Sequence, residues 1–396
     1  MIYYEKCILK RVKMKKSMKE IVGRTILNLK DAWATFQSNE ICVPMPVFIT
    51  IDDCGFNRVY PNNANTPVVS YNTYECLLEL SKKYHTKIAL AFTTKYLDKD
   101  NISGLGQPSP YLDKLMKLLT NNQDYIEIAN HGWLHDQKNH TGEFYLIDEN
   151  RPVSEDVQEE SIRKSNLIYK SWGLKFPRIF IPPYNAFVPG VTDRILSRYG
   201  GKYIVSASYL QDDNMMPKDN AGVLVLPRAW LGIITIDTDL KNSHLSQVKK
   251  ELLRNIGFVN NSKLDCLNQS YMTHIGNFLP DNYGFWSEIF EWIEKKPFLY
   301  LPRDIESSIS QWLFLKYGTL KIEKSDKNKK ISLLIDLRKI NPFYVRYLDH
   351  ITLKLSKDIE SAHLDGHELT LNRKRNFTYV TIPIKEHNTV QHIVLE

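Results

Sequence analysis

The sequence has few cysteines and no long apolar run. Its 5 cysteines among 396 residues are an odd number, are widely spaced and include no Cys-x-x-Cys pair. This spacing argues against a disulfide framework or a thiolate zinc site and is typical of a reducing compartment. No stretch reaches the roughly 18 apolar residues that span a bilayer, and no apolar signal segment follows the basic N-terminus. We therefore expect a cytoplasmic protein.

Positive charge is in modest excess. The net charge is +7 at pH 7, and residues 1–20 alone carry seven Lys or Arg against two Glu. We interpret residues 1–40 as a basic N-terminal helical segment with a solvated face, and weak contact with a membrane surface or another polyanion is the alternative. The rest of the chain has no basic motif interleaved with aromatic residues, so we expect no binding to nucleic acid. The oligomeric state cannot be predicted.

Residues 41–305 are predicted to form a barrel. Short apolar runs alternate there with segments of helical period, which is the pattern of parallel βα units. The strand candidates are 46–51, 87–92, 124–129, 178–182, 202–206, 222–226, 270–274 and 298–301. The helix candidates are 72–84, 155–172, 243–256 and 283–295. The pattern predicts an α/β protein with a distorted (β/α)7-8 barrel.

Residues 306–396 show a different pattern. Short alternating runs are separated by polar turns, which predicts a small antiparallel β-sandwich domain. The strand candidates are 318–323, 331–337, 343–347, 351–355 and 377–384. We expect this domain to be a separate folding unit docked on the barrel.

Two adjacent acidic residues, Asp52 and Asp53, follow the first predicted barrel strand. In such barrels, reactive groups cluster at the C-terminal ends of the strands. Neighbouring carboxylates repel each other, but a divalent cation bound to one would relieve the repulsion and leave the other ionised as a base. We interpret the pair as part of a metal site.

A histidine pair, His131 and His135, follows another predicted strand in the segment EIANHGWLH. On a helical turn the i, i+4 spacing places both imidazoles on one face, as in many zinc enzymes. Alone, such a pair is more often found in the core or on the surface than on a metal. The carboxylates at another strand end favour the interpretation as ligands.

Two further strand ends carry candidate groups. In the segment IFIPPYN, consecutive prolines form a rigid turn that can present the N–H of Tyr184 in a fixed direction, or can merely stiffen the loop. His274 ends the strand candidate SYMTH. It is a candidate proton donor, although a lone histidine is more often structural. Asp237 or Asp239 is a candidate for orienting its ring.

These four segments together resemble the motifs of the polysaccharide deacetylase family, the metal-dependent carbohydrate esterases with a NodB-homology domain. The family motifs T-F-D-D-G, E-I-G-N-H-(S/T)-x-x-H, R-P-P-Y-G and L-H are matched in order by TIDDCG, EIANHGWLH, IPPYN and MTHIG. The resemblance covers about residues 46–302. It implies a distorted (β/α) barrel and a hydrolase that removes N-acetyl groups from a sugar or polysaccharide. Because no export signal is visible, we expect a role in surface-glycan metabolism.

The resemblance also implies the metal site and the base. Asp53, His131 and His135 would hold one divalent metal, with Zn²⁺ expected and Co²⁺ or another divalent ion also fitting. Asp52 would act as the general base on the attacking water. Three protein ligands leave positions for water and for the substrate carbonyl, in agreement with this chemistry.

The remaining implied roles concern the tetrahedral intermediate and the leaving group. The backbone N–H of Tyr184 would stabilise the oxyanion together with the metal, and His274 would protonate the leaving amine.

The sequence departs from the family pattern at several positions, and one is Cys54 inside the first motif, which we interpret as a small buried residue and not as a ligand. Ile181 stands where the family has the Arg before Pro-Pro, and Asn185 stands where it has Gly. Arg228, at the end of another predicted strand, is our candidate for the missing cation. A surface or interdomain arginine is the alternative.

Two alternatives to an N-deacetylase stay open. The same metal site could act on O-acetyl groups or on other amide bonds. The chain could also be a non-catalytic glycan-binding protein on a deacetylase-like barrel, which the missing motif arginine favours and the retained aspartates and histidines disfavour.

Overall fold

The computed structural model describes most of the chain after residue 40. The described residues are 41–56, 69–106, 109–136, 142–207, 218–220, 222–231, 240–260, 270–325, 331–340, 342–356, 359–374, 377–384 and 390–396. The predicted basic segment 1–40 lies outside them, as do Asp237 and Asp239.

The described strands and helices follow in chain order. The strands are β1 (Ile41–Cys42), β2 (Met45–Pro46), β3 (Phe48–Cys54), β4 (Ile88–Phe92), β5 (Ile126–Asn130), β6 (Tyr145–Leu146), β7 (Arg151–Pro152), β8 (Ile179–Phe180), β9 (Tyr203–Ser206), β10 (Lys218–Asn220), β11 (Val223–Trp230), β12 (Ser270–His274), β13 (Leu299–Tyr300), β14 (Thr319–Ser325), β15 (Ile331–Asp336), β16 (His350–Leu355), β17 (Ala362–Leu364), β18 (His367–Glu368), β19 (Leu371–Arg373), β20 (Thr378–Pro383) and β21 (Val390–Leu395). The α-helices are α1 (Tyr71–Tyr84), α2 (Leu112–Asn121), α3 (Glu155–Ser171), α4 (Thr192–Tyr199), α5 (Asn242–Asn260), α6 (Tyr283–Lys295), α7 (Ile305–Tyr317) and α8 (Pro342–Val345).

Seven parallel strands close into a barrel, which confirms the predicted fold class. Their order is β11, β12, β3, β4, β5, β8 and β9, and β9 pairs with β11 to close the ring. The strands are apolar because both faces of a parallel barrel strand are covered, and every residue of β4 is buried. The eighth predicted strand, β13, lies outside the ring and pairs with β2.

Amphipathic helices cover the barrel. In α6 the buried residues Trp286, Ile289, Phe290 and Ile293 recur at the spacing of one helical face, which packs that face against the core. Within the described residues, no helix is both long enough and apolar enough to cross a membrane.

The C-terminal strands form two antiparallel sheets, as predicted. One sheet has the order β1-β16-β20-β19 and the other the order β14-β15-β21-β17-β18. The predicted strand 343–347 is wrong, because α8 occupies most of it and Pro342 at its first position favours a helix start. Strands β17, β18, β19 and β21 were not predicted.

Hydrogen bonds of a buried lysine join one of the C-terminal sheets to a helix of the barrel. The Lys354 ammonium, in a residue only 2% exposed, donates to the carbonyls of Glu294, Lys296 and Leu299 at 2.7, 2.7 and 2.9 Å. These carbonyls lie at and after the end of α6, so the lysine caps that helix from β16. Division of the chain into two independently folding units stays a prediction.

Candidate metal centre

The predicted site residues converge at one end of the barrel. Asp52 and Asp53 lie at the end of β3, and His274 ends β12 directly opposite Asp52 in the strand register. The His131–His135 loop follows β5, the Tyr184 turn follows β8, and Arg228 lies in β11. The seven predicted residues therefore come from five barrel strands or the loops that follow them.

Three of these residues form a candidate metal site. The Nε2 atoms of His131 and His135 both lie 3.4 Å from Oδ1 of Asp53. One ligand atom from each residue falls within 4.8 Å of the other two. Two imidazole nitrogens and a carboxylate oxygen at such separations suit a divalent cation, Zn²⁺ among them.

Hydrogen bonds fix the orientation of both imidazoles. Nδ1 of His131 lies 2.6 Å from the carbonyl oxygen of Ile181, which can only accept, so this nitrogen carries the proton. Nδ1 of His135 lies 3.2 Å from Oδ2 of Asp136. In both rings the other nitrogen, Nε2, faces Asp53, and such outer partners are the usual means of orienting metal-binding histidines. The three residues therefore fit a bound metal.

Asp52, the aspartate outside the candidate ligand set, has a different environment from Asp53. Asp52 is 3% exposed, and its two oxygens accept hydrogen bonds of 2.9 and 2.8 Å from Nη1 and Nη2 of Arg228, which is 1% exposed. Burial alone would raise the pKa of Asp52, but the Arg228 guanidinium, with smaller contributions from His131 and His274, holds it below its ordinary value. Asp52 is thus an ionised carboxylate beside the candidate metal ligands.

Asn185, one of the departures from the family pattern, contacts Arg228. The Nε of Arg228 donates to Oδ1 of Asn185, and the same oxygen accepts from the backbone N–H of Ala207 at 3.0 Å. Asn185 has a φ of 59°, in the left-handed region that glycine and asparagine tolerate best. Asparagine therefore adopts a glycine-like backbone conformation here and also supplies an acceptor that orients the guanidinium.

The side chain of Tyr184 lies beside the candidate metal site. Its hydroxyl donates to Oδ1 of Asp136 at 2.7 Å, and its ring centroid lies 4.9 Å from that of His135. Its φ of 55° is unusual for a residue other than glycine. Because Asp136 also contacts the imidazole of His135, one carboxylate links the proline turn to a metal-ligand candidate.

His274 lies near the other carboxylate oxygen of Asp53. Its Nε2 is 3.8 Å from Oδ2 of Asp53. Burial lowers the pKa of His274, while the charges of Asp53 and Asp52 oppose that shift. The candidates for orienting its ring, Asp237 and Asp239, lie outside the described residues.

Three residues around the site were not predicted as site residues from the sequence: Asp136, Asn185 and Glu143. The position of Asn185 in the motif was noted, and its tolerance of positive φ was a usable signal. Asp136 adjoins His135, but nothing in the local pattern indicated that it would contact Tyr184. Glu143 carries no sequence signal, because its partners are backbone groups that only the folded loop presents.

No protein-family model and no curated protein matches the sequence. The fold is similar to family 4 carbohydrate esterases. One, from Streptomyces lividans, has 11% identity and a TM-score of 0.33, with 65% of this chain and 92% of that chain covered. An acetyl xylan esterase of the same family from Clostridium thermocellum has 13% identity and a TM-score of 0.30, with 66% and 95% covered.

A CE4 family pseudoenzyme from Bacillus anthracis is also similar, with 14% identity and a TM-score of 0.31. The match covers 62% of this chain and 61% of that one, so this chain spans less than two thirds of its length.

Proposed function

We propose that this protein is a metal-dependent hydrolase that removes N-acetyl groups from a sugar or polysaccharide. The observation that carries the proposal is the placement of Asp53, His131 and His135 within ligand distance of one another, beside the Asp52–Arg228 ion pair. A carbohydrate substrate is the expectation from the family resemblance of the motifs. A role in surface-glycan metabolism and a cytoplasmic location are part of the same proposal.

Asp53, His131 and His135 would hold the metal. When bound, a divalent ion there supplies Lewis-acid polarisation of the substrate carbonyl and a water of lowered pKa. The residues of this chain hold the ligand atoms in place before the ion arrives, because Ile181 and Asp136 fix the two imidazoles.

Asp52 acts as the general base in this proposal. Arg228 keeps the carboxylate ionised and fixes its plane through two hydrogen bonds. Each carboxylate oxygen has a second lone pair, so the pairing with Arg228 leaves Asp52 able to accept a proton from the attacking water. The cost is a weaker base, since the same cation lowers the pKa of Asp52.

His274 and Tyr184 act on the other atoms of the scissile bond. His274, whose Nε2 lies 3.8 Å from Oδ2 of Asp53, gives a proton to the leaving amine. The N–H of Tyr184, in the turn that Asp136 anchors, donates to the developing oxyanion. Both roles follow from the motif resemblance.

Acetate release tests the proposal directly. The purified protein, loaded with Zn²⁺ or Co²⁺, is incubated with N-acetylated chitooligosaccharides and with O-acetylated xylooligosaccharides, and acetate and free amine are quantified. We expect acetate and an equal amount of free amine from the N-acetylated substrate. Acetate from only the O-acetylated substrate would replace the N-deacetylase with the O-deacetylase alternative.

The glycan-binding alternative predicts a different result in the same assay. A non-catalytic protein would bind the oligosaccharides and release no acetate from either. The missing motif arginine was the main reason to favour it. That reason weakens because Arg228 contacts Asp52 in its place.

A further inference from the structure

A buried carboxylate outside the four motifs contacts the loop that carries both histidines. Glu143 is 0% exposed and follows a β-bridge between Asp136 and Gly142. Its Oε1 accepts the N–H of Trp133 at 3.0 Å, and its Oε2 accepts the N–H groups of Leu134 and His135, both at 3.1 Å. Three consecutive backbone donors of the loop therefore converge on one side chain.

The carbonyl groups of the same loop are held by the segment after β4. The N–H groups of Thr94 and Lys95 donate to the carbonyls of Gly132 and Trp133 at 3.0 and 3.1 Å. The Lys95 ammonium donates to the carbonyl of Leu134 at 2.9 Å. The loop backbone is thus fixed by hydrogen bonds to Glu143 on its N–H groups and to this segment on its carbonyls.

The loop conformation needs such support. His135 has a φ of 72°, and Gly132 has a φ of 80°. A non-glycine residue held in this region costs about 1–3 kcal/mol and persists only when its surroundings enforce it. There is also no space for a side chain at Gly132. A Cβ atom there would lie 2.0 Å from Oε2 of Glu143 and 3.3 Å from Cγ of Pro183.

We propose that Glu143 is a positioning residue that holds His135 in its left-handed conformation, so that Nε2 faces Asp53 before a metal binds. The inference rests on the proposed function, because it concerns the metal that this function requires. Glu143 itself contacts neither the ligand atoms nor the candidate base. It acts through the backbone of the loop, and its effect should therefore appear in metal affinity and coordination geometry.

Glu143→Gln tests the inference with a nearly isosteric change. A glutamine keeps one acceptor oxygen, but its NH₂ group faces at least one of the three backbone N–H donors. At least one of these N–H groups therefore loses its acceptor. We expect Zn²⁺ affinity, measured by competition with a chromophoric chelator, to fall about 10–100-fold, the usual scale for an outer partner of a metal ligand. The visible absorption spectrum of Co²⁺-loaded protein should change as well.

Glu127→Gln is the matched control. Glu127 is also a buried carboxylate and lies in β5, but its partner is Arg178, whose Nε donates to it at 2.6 Å. Its substitution should lower the stability of the metal-free protein without changing Zn²⁺ affinity or the Co²⁺ spectrum.

Gly132→Ala provides a second test that leaves Glu143 in place. The added methyl group would displace the carboxylate, so the same loss of Zn²⁺ affinity is expected. Gly173→Ala is its control, because Gly173 also has a positive φ, 72°, and has open space around a Cβ atom. This pair decides the question if Glu143→Gln fails to fold.

The outcomes separate this inference from the proposed function. If wild-type protein binds Zn²⁺ and the Glu143→Gln and Gly132→Ala variants bind it equally well with an unchanged Co²⁺ spectrum, Glu143 is a structural residue only. If wild-type protein binds no divalent metal, the proposed function fails and the inference fails with it.

Discussion

The guanidinium of Arg228 donates to both carboxylate oxygens of Asp52, and both side chains are almost completely buried. A buried arginine paired in this bidentate geometry keeps the carboxylate ionised. In the family motif, the corresponding cation precedes the Pro-Pro pair. In this chain it comes from β11, and Asn185 in the proline turn orients it.

We expect Arg228→Met to keep the metal and to lower turnover. Without the cation the pKa of Asp52 rises, so the ionised base is lost at a higher pH and the acid limb of the kcat/KM profile moves upward. Activity over a pH series, with metal content measured in parallel, checks this. Arg228→Lys is the control: it keeps the charge without the bidentate geometry and should shift the limb less. A drop in activity with an unmoved acid limb would mean that Arg228 only supports the structure.

The two adjacent aspartates should respond differently to the same substitution. Asp52→Asn leaves the ligand set untouched, so the metal should stay and turnover should fall roughly 10²-fold or more, the usual scale for a general base. Asp53→Asn should weaken metal binding itself. Metal content and acetate release measured on both variants check this. An Asp52→Asn protein that deacetylates normally, or that has lost its metal, would show that the two roles are assigned wrongly.

Both histidines should be needed for one bound metal per chain. The double variant His131→Ala, His135→Ala should contain no stoichiometric metal by elemental analysis, because only Asp53 of the candidate ligands remains. Chelation of the wild-type protein should abolish acetate release, and added Zn²⁺ or Co²⁺ should restore it. His367→Ala, an exposed histidine on β18, is the control and should keep its metal. Equal metal content in the double variant and the wild type would refute the site.

Lys354 should contribute to the stability of the fold. Lys354→Met removes a donor from three carbonyls at and after the end of α6, of which that of Leu299 is buried and that of Lys296 keeps the N–H of Leu299 as a donor. We expect the free energy of unfolding to fall by about 1–3 kcal/mol, the cost of unsatisfied buried polar groups. Urea denaturation checks this, with the exposed Lys321→Met as the control. An unchanged unfolding midpoint would mean that other donors reach these carbonyls.

The sequence by itself determined the seven strands of the barrel ring and the positions of the motifs, whereas the eighth predicted strand, β13, pairs with β2 outside the ring. Apolar runs at βα spacing predict parallel strands, and the strand ends place Asp52, Asp53, His131 and His274 at one mouth, because all parallel strands of a barrel point the same way. The sequence was less reliable where residues with high strand propensity form a helix. The aromatic run 343–347 has the composition of a strand, but Pro342 starts a helix there.

Only the tertiary structure decided which side chains support the motifs. The sequence offered Arg228 as a candidate for the missing cation, with a surface or interdomain arginine as the alternative, and barrel closure brings it to Asp52. Glu143 had no sequence signal, and it reaches the loop of His135 because the folded loop presents its N–H groups to that side chain. Periodicity and spacing report which face of an element is buried, but they contain no information on which distant side chain meets which backbone group. Glu143 accepts hydrogen bonds from backbone N–H groups, which every residue except proline carries. Their convergence on one carboxylate is therefore a property of the folded loop.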